Sequence, residues 1–397
     1  MTEIYYDPYS FEIDADPHPV WRRMRDHAPL YRNDKYDFWA LSRFADVEAA
    51  LADWRSYSSA RGTVLELINS RARIPPGIIL FEDPPLHDVH RALLARLFTP
   101  RRIAELEPRV RAYCARSLDP LVGSGGFDFI ADLGSQMPMR VIGMLLGIPE
   151  EDQEELRDRV DAGLSLEDGG APRRTSLEGG GELFPTERFS QYIAWRRRHP
   201  SDDLMTELLN ARFVDDRGIE RTLRDDELLS YIGLLAGAGN ETTTRLIGWT
   251  GYLLDRFPDE RRRIAGDRSL VPNAIEEILR YEAPSPVQAR YVTRDVELHG
   301  TPVLEGSTLL LLNGSANRDE RQFADPDRLD VRRRDIRHLS FGYGIHFCLG
   351  ASLARLEARV ALDEVLSRWP DWQIDHDRAE MARTSTVRGW KRLPARA

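Results

Sequence analysis

Cysteine is scarce in this sequence of 397 residues, with only Cys114 and Cys348 present. Two cysteines cannot build a disulfide framework or a zinc site with several cysteine ligands. The low count favours the reducing cytoplasm as the location, because thiols stay free there. The first residues lack a basic start followed by an apolar stretch, so we expect no signal peptide.

Long apolar runs and an excess of basic charge are also lacking. The longest apolar stretch, from Leu228 to Gly239, spans about 12 residues, whereas a membrane helix needs about 20. The chain carries 65 acidic against 55 basic residues, a net charge of −10, which argues against nucleic acid as the main partner. We therefore expect a monomer with no membrane anchor and no nucleic-acid partner.

Helical periodicity covers most of the sequence, and 42% of its residues are hydrophobic, enough to bury a large core. The predicted helices are His87 to Phe98, Arg101 to Leu118, Asp152 to Leu164, Ser190 to Arg198, Asp202 to Phe213, Asp225 to Phe257, Pro272 to Tyr281 and Leu349 to Trp369. Short strand patterns occur at roughly 30–60, 287–313 and 385–392. The glycine-rich stretch Asp168–Gly181 predicts a surface loop. We predict a mainly α protein with a minor β portion, folded as a single domain over 1–397.

Cys348 lies in the stretch F-G-Y-G-I-H-F-C-L-G at residues 341–350, directly before a helical pattern. The two alternate glycines predict an unusual backbone path. A thiol at a helix N-terminus meets free N–H groups and the positive end of the dipole, which favours its thiolate. One such thiolate suits a single axial bond to an iron better than a tetrahedral zinc site. A cysteine that merely packs is the alternative, and it is our interpretation of Cys114.

The long predicted helix from Asp225 contains A-G-A-G-N-E-T-T-T at residues 236–244. Each glycine costs a helix about 1 kcal/mol relative to alanine, so the pattern indicates a functional or packing requirement. Small residues let a flat ligand lie against the backbone, and the neighbouring Glu241 and Thr242 pair an acid with a hydroxyl for proton transfer. One alternative is a core helix whose threonines bond back to carbonyls. A dinucleotide loop is less favoured, because no strand precedes the glycines.

Two motifs connect these stretches to a known family. Residues 341–350 match F-G-x-G-x-H-x-C-x-G at every defined position, and residues 238–242 match A-G-x-(D/E)-T. On these motifs the sequence resembles the cytochrome P450 superfamily, and it is most similar to the soluble bacterial members. The resemblance implies a triangular helical prism with haem between the long central helix and the cysteine-loop helix. It also implies a haem-thiolate monooxygenase that inserts one oxygen atom from O2 into an apolar small molecule. Electrons would come from NAD(P)H through ferredoxin reductase and ferredoxin.

The same resemblance implies roles for individual residues. Cys348 would be the axial ligand of the iron of haem b, Thr242 would hydrogen-bond bound dioxygen and Glu241 would relay protons. The other expected haem contacts are His87, Arg91, Arg290 and His346 at the propionates, with Ala238, Gly239, Phe341 and Gly342. The expected substrate pocket contains Leu234, Gly237, Ala238, Val287, Thr386 and Val387. Glu277, Arg280 and Arg328 would form a structural ion network that fixes the loop before the cysteine.

An arginine-rich segment flanks the cysteine motif, with Arg332, Arg333, Arg334, Arg337, Arg355 and Arg359. We interpret these residues as a docking patch for an acidic ferredoxin, the alternative being a solvated charged face. Two other functions stay open: a peroxide-driven peroxygenase of the same fold and a non-catalytic haem-binding sensor or carrier. A haem-free interaction protein is a third, which would show no haem absorption. His87 with His90 could also be a metal pair, although no further ligands accompany them.

Overall fold

Helices make up most of the structure, a computed structural model that describes residues 3–70, 74, 76–155, 186–384 and 387–397. The α-helices of these residues are Phe11–Ala15, His18–His27, Phe44–Ala52, Leu65–Ser70, Leu86–Ala95, Pro100–Ala104, Glu107–Leu118, Met137–Leu146, Thr186–Arg198, Leu204–Asn210, Asp225–Arg256, Pro258–Gly266, Val271–Tyr281, Asn313–Ala316 and Ala351–Arg368. Residues 150–155 are also helical. The remainder of the helix predicted at Asp152 to Leu164, and the whole Asp168–Gly181 loop, lie outside the described residues.

The main sheet of the described residues has five strands, in the order Leu30–Asn33, Phe38–Leu41, Thr308–Leu311, Gln288–Val292 and Tyr57–Ser58. The second and third of these strands run parallel, and the other neighbours are antiparallel. Every residue of Thr308–Leu311 is buried, as expected for a strand covered on both faces. Leu309 pairs with Trp39 on one side and with Arg290 on the other, so the sheet fixes the position of Arg290.

The helix Asp225–Arg256, called the central helix below, runs unbroken for 32 residues through the core. It packs against Met137–Leu146, against a π-helical turn at Phe129–Gly134 and against Ala351–Arg368. A side chain at Gly251 would lie 2.6 Å from the Phe129 ring, so glycine permits this close packing. The predicted boundaries of this helix are confirmed. No helix among the described residues combines the length and the apolar character that crossing a membrane demands.

Two predicted helices are wrong in part. The helix predicted over Arg101 to Leu118 is interrupted near residue 105, because Pro108 begins a second helix and cannot continue the first. The helix predicted to reach Phe213 ends at Asn210, and a hairpin of Arg212–Val214 and Glu220–Thr222 follows. Its turn is specified by Asp215, whose Oδ1 accepts bonds from the amides of residues 217 and 219 at 3.0 and 2.9 Å.

Of the seven remaining strands of the described residues outside the 212–222 hairpin, three lie within the predicted β-rich ranges (Val296–Leu298, Thr301–Val303 and Trp390–Arg392) and four lie outside them. The four are Gly126–Asp128, Gln373–Ile374, Glu380–Met381 and Pro394–Arg396. Several of them pair over long sequence distances, as Gly126–Asp128 does with Pro394–Arg396, and such pairing leaves no short-range signal. The mainly α class with a minor β portion is confirmed, whereas a single domain over 1–397 stays a prediction.

Candidate active site

The cysteine loop, residues 341–350, has a backbone path that requires its glycines. Gly342 and Gly344 have φ values of 69° and 71°, in the left-handed region that side chains disfavour. A Cβ atom on Gly344 would lie 2.9 Å from the carbonyl oxygen of Leu51. The Cys348 amide donates to the Phe341 carbonyl at 2.8 Å, which closes the loop on itself.

Cys348 is exposed, whereas Cys114 is buried. The helix that follows the cysteine loop begins at Ala351. It therefore starts three residues after the cysteine and is not opened by it. Although Cys348 has accessible surface, the protein around its thiol limits solvation, and this desolvation is the largest influence and raises the pKa of the thiol. The amides of Gly350 and Ala351, with Arg91, lower the pKa. The amides at the start of the helix therefore favour the thiolate, as the sequence predicts, while desolvation opposes them.

Cys114 behaves as a packing residue. It lies in the helix Glu107–Leu118 within the main hydrophobic core. Burial raises the pKa of its thiol to about 12, which keeps it neutral and unreactive. The prediction that Cys114 packs in the core is confirmed, whereas Cys348 is exposed.

A cluster of cationic and imidazole groups lies beside the cysteine loop. Burial, and then the charges of Arg290, His87 and Arg91, lower the pKa of His346 to about 3. The rings of His87 and His346 are 4.6 Å apart, and the Nε2 atom of each is buried without a hydrogen-bond partner among the described residues. Burial lowers the pKa of Arg290 to about 10. Such a concentration of buried donors fits an anionic ligand, which would pair with them.

A buried network of charged side chains fixes the chain that leads into the cysteine loop. Arg280 Nε and Nη2 donate to the two carboxylate oxygens of Glu277 at 2.7 and 2.8 Å, and both side chains are fully buried. The predicted third member, Arg328, is wrong: its side chain is 60% exposed and its nearest acid is Asp330, at 3.8 Å. Arg333 takes that place, with Nε 3.1 Å from both Glu277 oxygens. Arg328 contributes only its carbonyl oxygen, which accepts from Arg280 and Arg333.

The network continues into the loop through main-chain and amide contacts. Arg280 donates to the carbonyl oxygen of Asn317 at 3.0 Å. The Asn317 side chain accepts from the Leu339 amide at 2.7 Å and donates to Ser340 Oγ at 2.8 Å. Ser340 in turn donates to the Leu279 carbonyl at 2.6 Å. The residues just before the cysteine loop are thus fixed to the helix that carries Glu277.

One part of the central helix, within its otherwise buried middle turns, is accessible to solvent. Its residues are buried for several turns, yet Ala238 is exposed and Gly239 and Thr242 are half-buried. These three positions share one face. A Cβ on Gly239 would have Ile142 as its nearest neighbour, at 3.7 Å. A helix crossing the core has no reason to expose small residues unless a ligand covers them, so this face fits a flat molecule.

Glu241 and Thr242 are adjacent but have different surroundings. The Thr242 hydroxyl donates to the Ala238 carbonyl at 2.9 Å, and Thr244 bonds back to Asn240 at 3.0 Å. The back-bonding pattern weighed as an alternative is therefore present, in an unbroken helix. Glu241 is buried and accepts a 2.8 Å hydrogen bond from Arg245. This arginine was missed in the sequence, although the i,i+4 spacing of the two charges could have indicated the pair.

The expected pocket residues fall into two groups. Leu234, Gly237 and Ala238 lie on the central helix, the first two buried. Val287 and Val387 line one cavity together with Trp21 and Pro286. Thr386 lies outside the described residues.

Of the expected cofactor contacts, Phe341 is half-buried beneath the guanidinium of Arg355, 4.5 Å from its ring centre.

The arginine patch is smaller than the sequence predicts. Arg333 belongs to the Glu277 network, Arg355 binds Glu276 at 2.7 and 2.9 Å, and Arg337 pairs with Glu48. Arg332 and Arg334 are exposed, Arg359 is half-buried, and none of the three has an acidic partner within the described part of the chain. Of the six predicted patch residues, Arg332, Arg334 and Arg359 therefore keep a positive charge that no described acid neutralises.

These features fit one kind of ligand. An exposed cysteine, buried cations and an opened helix face together suit a flat, apolar group that carries acid substituents and a metal that accepts sulfur. No cluster of three or more His, Cys, Asp or Glu side chains forms a separate metal site in the described ranges. His90 instead bonds Glu82 at 2.7 Å, which leaves the His87 and His90 metal pair without support.

Known proteins identify the class. A sequence model of the cytochrome P450 family matches residues 187–387. The chain is 40% identical over 396 residues to the putative cytochrome P450 123 of Mycobacterium tuberculosis, covering 99% of this chain and 96% of that protein. It is 35% identical over 393 residues to the cytochrome P450 monooxygenase PikC of Streptomyces venezuelae, covering 97% and 92%. The structure of CYP109E1 from Bacillus megaterium, in complex with testosterone, superposes with a TM-score of 0.87 at 29% identity, covering 98% and 99%.

The chain therefore belongs to the cytochrome P450 family and is a monooxygenase of that family. The predicted fold is confirmed by these likenesses. Members of the family bind haem and use dioxygen, which agrees with the flat, metal-bearing group that the site fits.

Proposed function

We propose that this enzyme inserts one oxygen atom from O2 into an apolar small molecule, with electrons from NAD(P)H delivered through ferredoxin reductase and ferredoxin. The observation that supports it most is the coincidence of an exposed cysteine with a face of small residues on an otherwise buried helix. When bound, haem supplies the binding and reductive activation of dioxygen.

We assign the residues that would hold haem b from the resemblance, with the geometry described above in support. Cys348 would bind the iron through its sulfur, and Ala238 and Gly239 would lie against the flat ring. His87, Arg91, Arg290 and His346 would meet the propionates, whose negative charges would satisfy the unpartnered imidazole nitrogens. Phe341 and Gly342 would pack near the sulfur.

Thr242 and Glu241 would handle protons on the oxygen side. The Thr242 hydroxyl donates to the Ala238 carbonyl, which leaves the lone pairs of its oxygen able to accept a hydrogen bond. Rotation about the side chain would let the same hydroxyl donate instead. Glu241, buried one residue earlier, can exchange a proton with water and pass it inward.

The substrate class rests on the walls and on the relatives. Leu234, Val287 and Val387 are aliphatic, which suits an apolar molecule. A structural neighbour holds testosterone, so we propose a substrate of comparable size and polarity, with steroids as the first compounds to test.

A spectral screen followed by turnover tests this function. Steroids and other apolar compounds are added to the ferric haem protein, and a substrate displaces water from the iron and shifts the absorption. The best compound is then incubated with NADPH, ferredoxin and reductase or with hydrogen peroxide alone. Product with the electron donors supports the monooxygenase; product with peroxide alone indicates the peroxygenase. Binding without product in either case indicates a sensor or carrier and contradicts the proposal.

We also propose that ferredoxin docks on Arg332, Arg334 and Arg359, which have no acidic partner among the described residues. Reversing two charges in R332E/R334E should slow electron transfer several-fold at low salt and little at high salt, since salt screens exposed charges. R198E/R217E is a matched control, because both arginines are exposed, lie outside the segment 332–359 and have no acidic partner among the described residues. Equal effects of the two changes would contradict the docking site.

A further inference from the structure

Arg245 is a buried arginine that the roles above leave unexplained. It lies on the central helix one turn after Glu241 and donates to Glu241 Oε1 at 2.8 Å. The two side chains are only 9% and 3% exposed. Its other terminal nitrogen donates to the main-chain oxygen of Trp390. A pair so removed from water is weakly screened, so the guanidinium fixes both the charge environment and the orientation of the carboxylate.

The segment 388–390 fixes Arg245 in turn. A Cβ atom on Gly389 would lie 2.8 Å from the Cβ of Arg245, so glycine makes room for the arginine. The Trp249 indole donates to the Arg388 carbonyl at 3.0 Å. Arg388 itself binds Glu282 through its guanidinium. The segment is thereby anchored to the central helix on one side and to the end of the helix Val271–Tyr281 on the other.

Proton delivery by a buried acid needs support of this kind. When protonated Glu241 passes its proton to a hydrogen-bonded water, the carboxyl O–H bond breaks, a new O–H bond forms on the water, and a carboxylate remains, which burial alone would disfavour. A neighbouring guanidinium stabilises that carboxylate until a proton from water replaces the lost one. It also fixes the orientation of the carboxylate, because an unrestrained glutamate has several rotamers.

We propose that Arg245 is a positioning residue for proton delivery by Glu241, and that residues 389–390 hold Arg245 in place. This inference rests on the proposed function, in which Glu241 delivers protons. Nothing in the proposal requires Arg245 to touch haem, oxygen or substrate. Its effect on the reaction must therefore vanish when Glu241 can no longer act as an acid.

A double-mutant cycle tests that dependence. The full-length haem protein is supplied with NADPH, O2 and a plant-type ferredoxin with its reductase. Two quantities are measured: the ratio of peroxide to water formed from O2, and the solvent deuterium isotope effect on NADPH oxidation. R245M should change the ratio of peroxide to water by about threefold or more, and R245K should restore most of it. E241Q should change the ratio further, and E241Q/R245M should equal E241Q. G389A should resemble R245M, since its methyl group displaces the arginine.

A matched control separates positioning from stability. Arg261 is also buried, 5% exposed, and binds an acid, Asp371, and a main-chain oxygen, that of Trp372, at 2.7 Å. R261M should lower the unfolding midpoint as R245M does, yet leave the oxygen partition and isotope effect unchanged. The unfolding free energies of R245M, E241Q and the double variant, measured without NADPH, give the coupling of the pair independently of turnover.

The outcomes are distinct. A wild-type protein that consumes no O2 overturns the proposed function. An E241Q protein identical to wild type removes the role of Glu241 and this inference with it. A changed E241Q with an unchanged R245M, or effects of the two that multiply in the double variant, overturns the positioning role of Arg245 alone.

Discussion

The cysteine loop and the opened face of the central helix both fit the proposed cofactor, but different interactions hold them in place. The loop depends on special residues: glycines with positive φ, and a buried ion network that fixes the chain just before it. The helix face depends on regular backbone hydrogen bonds and on apolar packing elsewhere along its 32 residues. Single substitutions in the loop should therefore damage the structure, whereas those on the helix face should change chemistry and leave the fold intact.

Cys348→Ala should have the largest effect. We expect complete loss of the carbon-monoxide absorption band that is characteristic of thiolate-ligated ferrous haem, and complete loss of turnover, because no other cysteine lies in the loop. Cys114→Ala is the control: it should cost about 1 kcal/mol of stability and keep the band. A band retained in the Cys348 variant would contradict the ligand assignment.

Arg333→Leu comes next and directly tests which arginine completes the network. Removing Arg333 takes its hydrogen bonds from the buried Glu277, which keeps Arg280 as a partner, so the free energy of unfolding should fall by about 1–3 kcal/mol. Arg328→Leu removes an exposed side chain and should stay within about 0.5 kcal/mol of the wild type. Urea unfolding measures both, and equal losses would show that the two arginines share the role.

Replacing a glycine by alanine should have opposite effects on stability in the cysteine loop and on the opened face of the central helix. Gly344→Ala places a methyl group near the Leu51 carbonyl in a left-handed conformation and should destabilise the haem-free chain by about 1–3 kcal/mol. Gly239→Ala meets its first neighbour at 3.7 Å and should stabilise the helix by up to about 1 kcal/mol. In haem titrations the second variant should bind haem more weakly, because its methyl group occupies the opened face. Two destabilised variants would refute the contrast drawn between the regions.

Thr242→Ala should have the smallest effect on stability, within about 0.5 kcal/mol, since its hydroxyl bonds only a carbonyl that already serves the helix. Its effect should lie in chemistry: more peroxide released per NADPH, measured with ferredoxin and reductase. Serine at this position restores the hydroxyl and should restore most of the coupling. Unaltered peroxide release in the alanine variant would rule out a role for this hydroxyl in proton handling.

Local sequence determined much of this protein. The glycine pattern at 342 and 344 specifies a backbone that only glycine adopts freely, and the long apolar periodicity from Asp225 specifies the central helix, so both were predictable from neighbouring residues alone. The distinction between Arg328 and Arg333 was not, because the two lie five positions apart in one arginine-rich stretch and only the path of the chain over Glu277 decides which side chain reaches it. In the same way the spacing of Glu241 and Arg245 is local, but the carbonyl that holds Arg245 comes from Trp390, 145 residues away. Contacts of that kind depend on how the whole chain packs, and no local pattern encodes them.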